Sequence, residues 1–185
     1  VRENSPFTDE GKNLLIEELG KNYATYFSIL SAISGGINTQ PGIEAALGDK
    51  SIGGQIKRLI EDYNIIVRQR PILAKEGSQT VRYEIQDNFL RFWFNYFDRY
   101  RSLIEIKNFV GLQSIIKKDY PTYSGIMLER YFKQQFAESF QYRAIGSWWE
   151  LKGYQNEIDI VGLKLEKNQA VVAEVKRQKK NFKPE

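Results

Sequence analysis

Cysteine and histidine are both absent from the 185 residues. Without a thiol there is no disulfide, no CxxC redox pair, no cysteine nucleophile and no zinc–thiolate site. Without imidazole there is no Ser-His-Asp triad, no histidine general base and no histidine metal ligand. Catalysis would have to use carboxylates, lysine, arginine, tyrosine, serine or threonine. A bound metal would need oxygen ligands, which points to Mg²⁺ or Ca²⁺. The sequence also lacks a GxxxxGK[ST] phosphate loop and a GxGxxG turn, so nucleotide is not held by those means. No apolar run approaches transmembrane length and no signal-peptide pattern opens the chain, so no membrane partner is expected. The lack of thiols suits a reducing cytoplasm, the expected location.

What is present is globular. Hydrophobic content of 42% with 14% aromatics argues against general disorder. Folded as one body, a chain this long buries roughly 70% of its unfolded surface, and it is long enough for one or two domains. The formal net charge of +4 is a mild basicity that permits nucleic-acid binding without requiring it. The chain opens on Val1 rather than methionine, as expected of a processed protein or a piece of a longer one.

The two halves read differently. In the first, turn residues Ser5, Pro6, Thr8 and Asp9 precede an apolar face of Leu14, Leu15 and Leu19. A second helix is expected over Tyr23–Ile33, stopping at Gly35-Gly36. A short helix follows, with Pro41 just inside its start. Asp49-Lys50-Ser51 opens a further helix with Ile52, Ile56, Leu59 and Ile60 at helical spacing. Then Tyr63–Val67 and Thr80–Ile85 read as paired strands around a loop containing Pro71 and Gly77. This order predicts a winged helix-turn-helix over residues 1–85. Its cations Lys50, Lys57, Arg58 and Arg70, with Arg68, Lys75 and Arg82, are candidate DNA contacts, diluted by Glu44, Asp49, Glu61 and Asp62. The alternative is a wing domain that only packs against a neighbour.

Residues 86–118 read as a helical connector. Asp87-Asn88 caps a helix through Phe97 with aromatics nearly all round, expected to be buried between the halves, and Leu112–Lys118 reads as a separate short helix. From residue 119 a long helix starts at Asp119-Tyr120-Pro121 and runs to about Phe140. Strands are expected over Tyr142–Ile145, Ile158–Leu165 and Ala170–Lys176, making an α+β (α/β) core. Of Trp148 and Trp149, one is expected to plug that core and the other to lie nearer the site. The basic tail Arg177, Lys179 and Lys180 reads as a solvated run or a phosphate contact.

The strands carry the chemistry. Alternation puts Asp159 on the face opposite Ile158 and Ile160, and puts Glu174 with Lys176 opposite Val171, Ala173 and Val175. A two-residue turn at Lys167-Asn168 would set Asp159 opposite Lys176, and Glu174 opposite Val161, diagonal to Asp159 on the same face. On the preceding helix Glu129 shares a stripe with Gly125, Phe132 and Phe136, so a third carboxylate should face the sheet. Two or three carboxylates and an ammonium suit phosphodiester cleavage. Mg²⁺ takes one or two carboxylates and keeps several waters, one of which it acidifies, while the lysine stabilises developing negative charge. The competing reading is a solvated strand face with an ion pair worth under about 1 kcal/mol.

Asp159 followed by Glu174-Val175-Lys176, with Glu129 on the preceding helix, resembles the PD-(D/E)XK nuclease superfamily. The whole chain resembles the C-terminal half of archaeal-type AAA-class ATPases, through Tyr26–Leu30, Asp87–Phe94, Ile145–Trp149, Glu157–Asp159 and Glu174–Lys176. The resemblance implies a winged helix, then a restriction-endonuclease-like core over residues 119–185. It implies a Mg²⁺ site of Asp159, Glu174 and Glu129 with Lys176 as the catalytic cation, and DNA as partner. It also implies an ATP-binding ATPase domain of the same polypeptide outside this chain, the only route to ATP. Only nine residues follow Lys176, so the core is expected to be truncated or open-edged. A non-catalytic DNA- or protein-binding module regulating that ATPase is the alternative.

Overall fold

A computed structural model of the chain describes residues 7–20, 23–75, 81–150, 156–166 and 168–178. Ser5, Pro6, Gly77, Thr80, Lys167, Lys179 and Lys180 lie outside them. The fold is mixed α and β, with two separate antiparallel sheets, and divides into two compact units. The first holds residues 1–69 and 81–116, the second residues 70–80 and 117–185.

In the first unit, α1 (Phe7–Leu19), α2 (Tyr23–Ser34), α3 (Gln40–Ala46) and α4 (Gly53–Glu61) precede a hairpin of β1 (Ile66–Gln69) and β2 (Arg82–Ile85). Spacing explains what each helix buries. In α4, Ile56 and Leu59, with Ile52 at the cap, turn into the core, and Lys57, Arg58 and Glu61 stay outside. Thr39 precedes Pro41 at the start of α3, where a missing N–H costs nothing. The Glu44 carboxylate accepts from Gln40 Nε2 (3.0 Å) and from the Ile52 amide (3.2 Å), tying α3 to the start of α4. Asp87 caps α5 (Asn88–Phe92) by accepting the Leu90 amide at 2.7 Å.

The aromatic helix departs from expectation in form. After Phe92 the chain winds as a π-helical turn, Trp93–Asp98, and Trp93, Phe94, Tyr96 and Phe97 are buried in the first unit, against α1 and α2 among others. The wider turn lets adjacent rings all turn inward, which a 3.6-residue period does not allow. A short α6 (Arg101–Glu105) leads to α7 (Phe109–Glu138), a helix of 30 residues. Sequence reading divides α7 in two at Asp119-Tyr120-Pro121, and the structure does not. Pro121 removes one hydrogen bond to the Lys117 carbonyl, but both residues are exposed and water can take that acceptor.

The second unit is built on a three-stranded antiparallel sheet in the order β3–β4–β5: β3 (Tyr142–Trp149), β4 (Glu157–Lys164) and β5 (Ala170–Ala173). β4 is central, and Ile160, Val161 and Leu163 are all buried, as expected of a strand covered on both faces. Gly162 passes beneath the Tyr142 ring, which stacks on Phe136 of α7 at 5.3 Å. Of the two tryptophans, Trp149 is the core residue, 4% exposed, and Trp148 is half-buried. Residues 70–80, read from sequence as the tip of the hairpin in the first domain, group with the second unit. There the Ile72 amide donates to the Ser147 carbonyl at 2.8 Å. No described helix is long and apolar enough to cross a membrane.

Candidate functional site

Register decides what a two-stranded site can hold. In β4–β5, Ile160 pairs with Ala173, Val161 with Val172, and Leu163 with Ala170. The connection is therefore two residues longer than a Lys167-Asn168 turn, with the Lys164 amide donating to the Gln169 carbonyl at 3.0 Å and Asn168 left-handed at φ 65°. This corrects the sequence-derived pairing. Asp159 is not opposite Lys176; continued past its end, the ladder would put it opposite Glu174. β5 stops at Ala173, short of the Ala170–Lys176 span expected from sequence, because the next ladder donor is diverted. The Val175 amide goes to Asp159 Oδ2 at 2.7 Å rather than to a main-chain carbonyl.

The four residues singled out in this half share one neighbourhood. Lys176 Nζ pairs with Glu174 Oε1. The ammonium is held above its ordinary pKa, first by the Glu174 hydrogen bond, and then by the charges of Glu174, Asp159 and Glu129. Glu129 reaches the cluster from α7. Burial pushes its carboxyl up to about 7; Asp159 and Glu157 push the same way, and Lys133 and Lys176 oppose them. Beside the cluster a cleft of about 510 Å³ runs between Phe132 and Phe136 of α7 and Ile160 and Ala173 of the sheet, with Glu174, Val175, Lys176 and Gln178 also lining it.

Such an arrangement can hold a proton at Glu129 near neutrality, present oxygen donors to a hard cation, and offer an ammonium to an anion. The donor chemistry fits Mg²⁺, which needs only one or two carboxylates. Among the described residues no three acidic side chains stand close enough to form a ready-made cage. Asp159, Glu174 and Glu129 are neighbours rather than a closed triad.

The titration of Glu129 gives a pH test. Its raised pKa means that the folded state keeps a proton the unfolded state loses near the ordinary glutamate value of 4.5. The stabilisation is full below that value and lost as pH rises through about 7. Glu129→Gln should therefore melt higher than wild type at pH 8, by about 1–2 kcal/mol once solvent screening of a half-buried group is allowed for, and match it near pH 4. Calorimetry at the two pH values checks this. A variant less stable than wild type at pH 8 would show that the ionised carboxylate is stabilised where it sits.

The candidate DNA contacts are less gathered. Lys50, Lys57, Arg58 and Arg70 are all exposed. On α4, Lys57 pairs with Glu61 at 3.8 Å, and Arg58 with Asp62 at 3.2 Å and with the Tyr63 hydroxyl at 3.0 Å. Two of the four cations are thus partly neutralised on their own helix. Arg70 belongs to the second unit. Sequence reading missed the roles of Ser147, whose hydroxyl donates to the Asp159 carbonyl at 2.9 Å, and of Glu157 and Lys133, which bear on Glu129. The only signal for Lys133 was its position four residues after Glu129 on one helix face.

Residues 93–184 match the DUF234 family, described as archaeal and bacterial proteins of unknown function. An uncharacterised protein of Methanocaldococcus jannaschii, MJECL04, is 36% identical over 163 residues, an alignment that covers 82% of this chain and 35% of the relative. The chain thus spans about a third of the length of the curated relative it matches. No solved structure matches it significantly.

Proposed function

We propose that this chain, which carries a DUF234 domain over residues 93–184, is the DNA-interacting part of a longer ATP-binding protein and bears a Mg²⁺-dependent phosphodiester-cleaving site. The observation that carries the reading is the convergence of Glu129, Asp159 and Glu174 on Lys176 beside an open cleft. Asp159 and Glu174, with Glu129, would hold the ion, and the ion when bound would neutralise phosphate charge and acidify a water. Lys176 would stabilise the charge that develops on the phosphate. Glu129, protonated or not near neutrality, would take up or release the proton. The resemblance to PD-(D/E)XK nucleases and AAA-class ATPases supports the assignment, as does the greater length of the archaeal relative. The helices and hairpin of the first unit support a winged-helix reading, with α4 as the element that would meet a DNA groove.

A second reading is favoured by the ion pairs on α4, which engage two of its cations. In it the chain is a non-catalytic DNA- or protein-binding module that regulates an ATPase domain elsewhere in the polypeptide. Plasmid cleavage titrated with Mg²⁺ and Mn²⁺ separates the two. Under the first reading the wild type nicks DNA with either ion and Asp159→Ala does not. Salt-sensitive DNA binding without cleavage under either ion supports the second, and no binding at all leaves its protein-interaction form.

A further inference from the structure

Regular strand alternation breaks at Asp159, and the reason lies on the neighbouring strand. Simple alternation along β4 sets Asp159 on the side away from Ile160. Ile160 lines the cleft with Phe132 and Phe136 of α7, the helix that carries Glu129. Asp159 nonetheless meets the segment that carries Glu174 and Lys176, its Oδ2 accepting the Val175 amide at 2.7 Å, and its charge bears on both Glu129 and Lys176.

The β3–β4 ladder resolves this. Gly146 pairs with Val161 and Trp148 pairs with Ile158, so Ser147 alone stands opposite both Asp159 and Ile160. This is a β-bulge on β4. The extra residue cancels one step of alternation and brings Asp159 to the Ile160 side, as bulges beside functional sites commonly re-aim a side chain. It also takes the Asp159 carbonyl out of the regular ladder. The Ser147 hydroxyl donates to that carbonyl at 2.9 Å. Ser147 is itself anchored, because its carbonyl accepts the Ile72 amide at 2.8 Å. At the other end of the same residue, Asp159 Oδ2 accepts the Val175 amide at 2.7 Å, between Glu174 and Lys176. An uninterrupted register would have paired Val175 with Ile158.

We propose that Ser147 is a positioning residue for the candidate site: its hydroxyl holds the bulge, the bulge aims the Asp159 carboxylate, and that carboxylate fixes the backbone that presents Glu174 and Lys176. The chain of contacts runs from Ile72 through Ser147 and Asp159 to Val175, all within the second unit. The assignment deepens the ion-site reading and rests on it for its functional meaning, although the contacts do not depend on a bound ion. Alanine at 147 keeps the strand but leaves the bulge carbonyl without its donor, whereas threonine supplies an equivalent hydroxyl.

Amide hydrogen exchange by NMR on the full chain without divalent ion reads the aiming step. In Ser147→Ala the Val175 amide should exchange about tenfold faster. The Lys164 amide, at the far end of the β4–β5 hairpin, should be unchanged, and Ser147→Thr should restore protection at Val175. An unchanged Val175 rate overturns the proposal. So does an equal rise at Val175 and Lys164, which would mean only a looser sheet. Mn²⁺ binding followed by electron paramagnetic resonance reads the second step, with about tenfold weaker affinity expected in Ser147→Ala. If the wild type binds no Mn²⁺, the ion-site reading fails, and the exchange data still decide whether Ser147 aims Asp159.

Discussion

Lys176→Ala is expected to lower ion-dependent DNA cleavage at least about 100-fold, the usual scale for losing one preorganised charge at a transition state. The melting midpoint should hardly move. The lysine side chain is 36% exposed and its ion-pair partner Glu174 is 60% exposed, so the pair contributes at most about 1 kcal/mol. Ion binding should move the opposite way from turnover. Lys176 is the ammonium that sits among Glu174, Asp159 and Glu129, and its removal leaves those groups more negative. Mn²⁺ should therefore bind Lys176→Ala as tightly as wild type or more tightly. Lys176→Arg keeps the charge but not the compact ammonium geometry and should recover part of the rate. Cleavage that survives Lys176→Ala undiminished would place the activity elsewhere. Weaker ion binding would mean that the lysine holds the site together rather than serving the reaction.

What made this cluster legible was period. In the sequence the alternation of Val171, Ala173 and Val175 against Glu174 and Lys176 groups the last two, although the ladder ends at Ala173 and residues 173–176 all line the cleft. The register error was two residues, and a shift by two leaves the paired side chains of β5 on their faces. The Glu129 stripe on α7 was legible for the same reason, since Phe132 and Phe136 follow at helical spacing and both line the cleft. What could not be read was the bulge. One extra residue at Asp159-Ile160 has no composition signal: neither is glycine or proline, and alternation through Glu157-Ile158-Asp159-Ile160-Val161 looks regular. Asp159 reached the predicted neighbourhood by a route that strand periodicity did not contain.

Local chemistry was similarly readable where one residue acts alone. Asp87 caps α5 because a short carboxylate three residues before an amide is a local interaction. Pro121 misled because its usual place is the first turn of a helix, and whether an interior proline is tolerated depends on exposure that sequence does not reveal. The π-helical turn at Trp93–Asp98 and the grouping of residues 70–80 with the second unit both depend on contacts far apart in sequence, through the buried rings in one case and the Ile72–Ser147 hydrogen bond in the other.

One such distant contact supports the largest expected loss of stability in the first unit. Gly11 lies on α1, and a Cβ there would stand 2.2 Å from Cδ2 of Trp93. The ring has little freedom to yield. It is 4% exposed, its Nε1 donates to the carbonyls of Phe7 (3.0 Å) and Thr8 (3.1 Å), and it packs edge-on against Phe27 and Phe94. Gly11→Ala must therefore push α1 away and weaken the hydrogen bonds that hold it. Overpacking of this kind costs about 1–3 kcal/mol, against which alanine returns about 1 kcal/mol of helix propensity. Because the Nε1 contacts go with the packing, a net loss of about 2 kcal/mol is expected, or roughly 10 °C for a unit of this size. The sign should reverse when the obstruction is removed. In a Trp93→Ala background, already destabilised by its own cavity, Gly11→Ala should be neutral or stabilising, leaving only the propensity term. Thermal melts of the four proteins of that cycle decide the matter. If Gly11→Ala raises the midpoint with Trp93 in place, α1 does not pack on the ring as described.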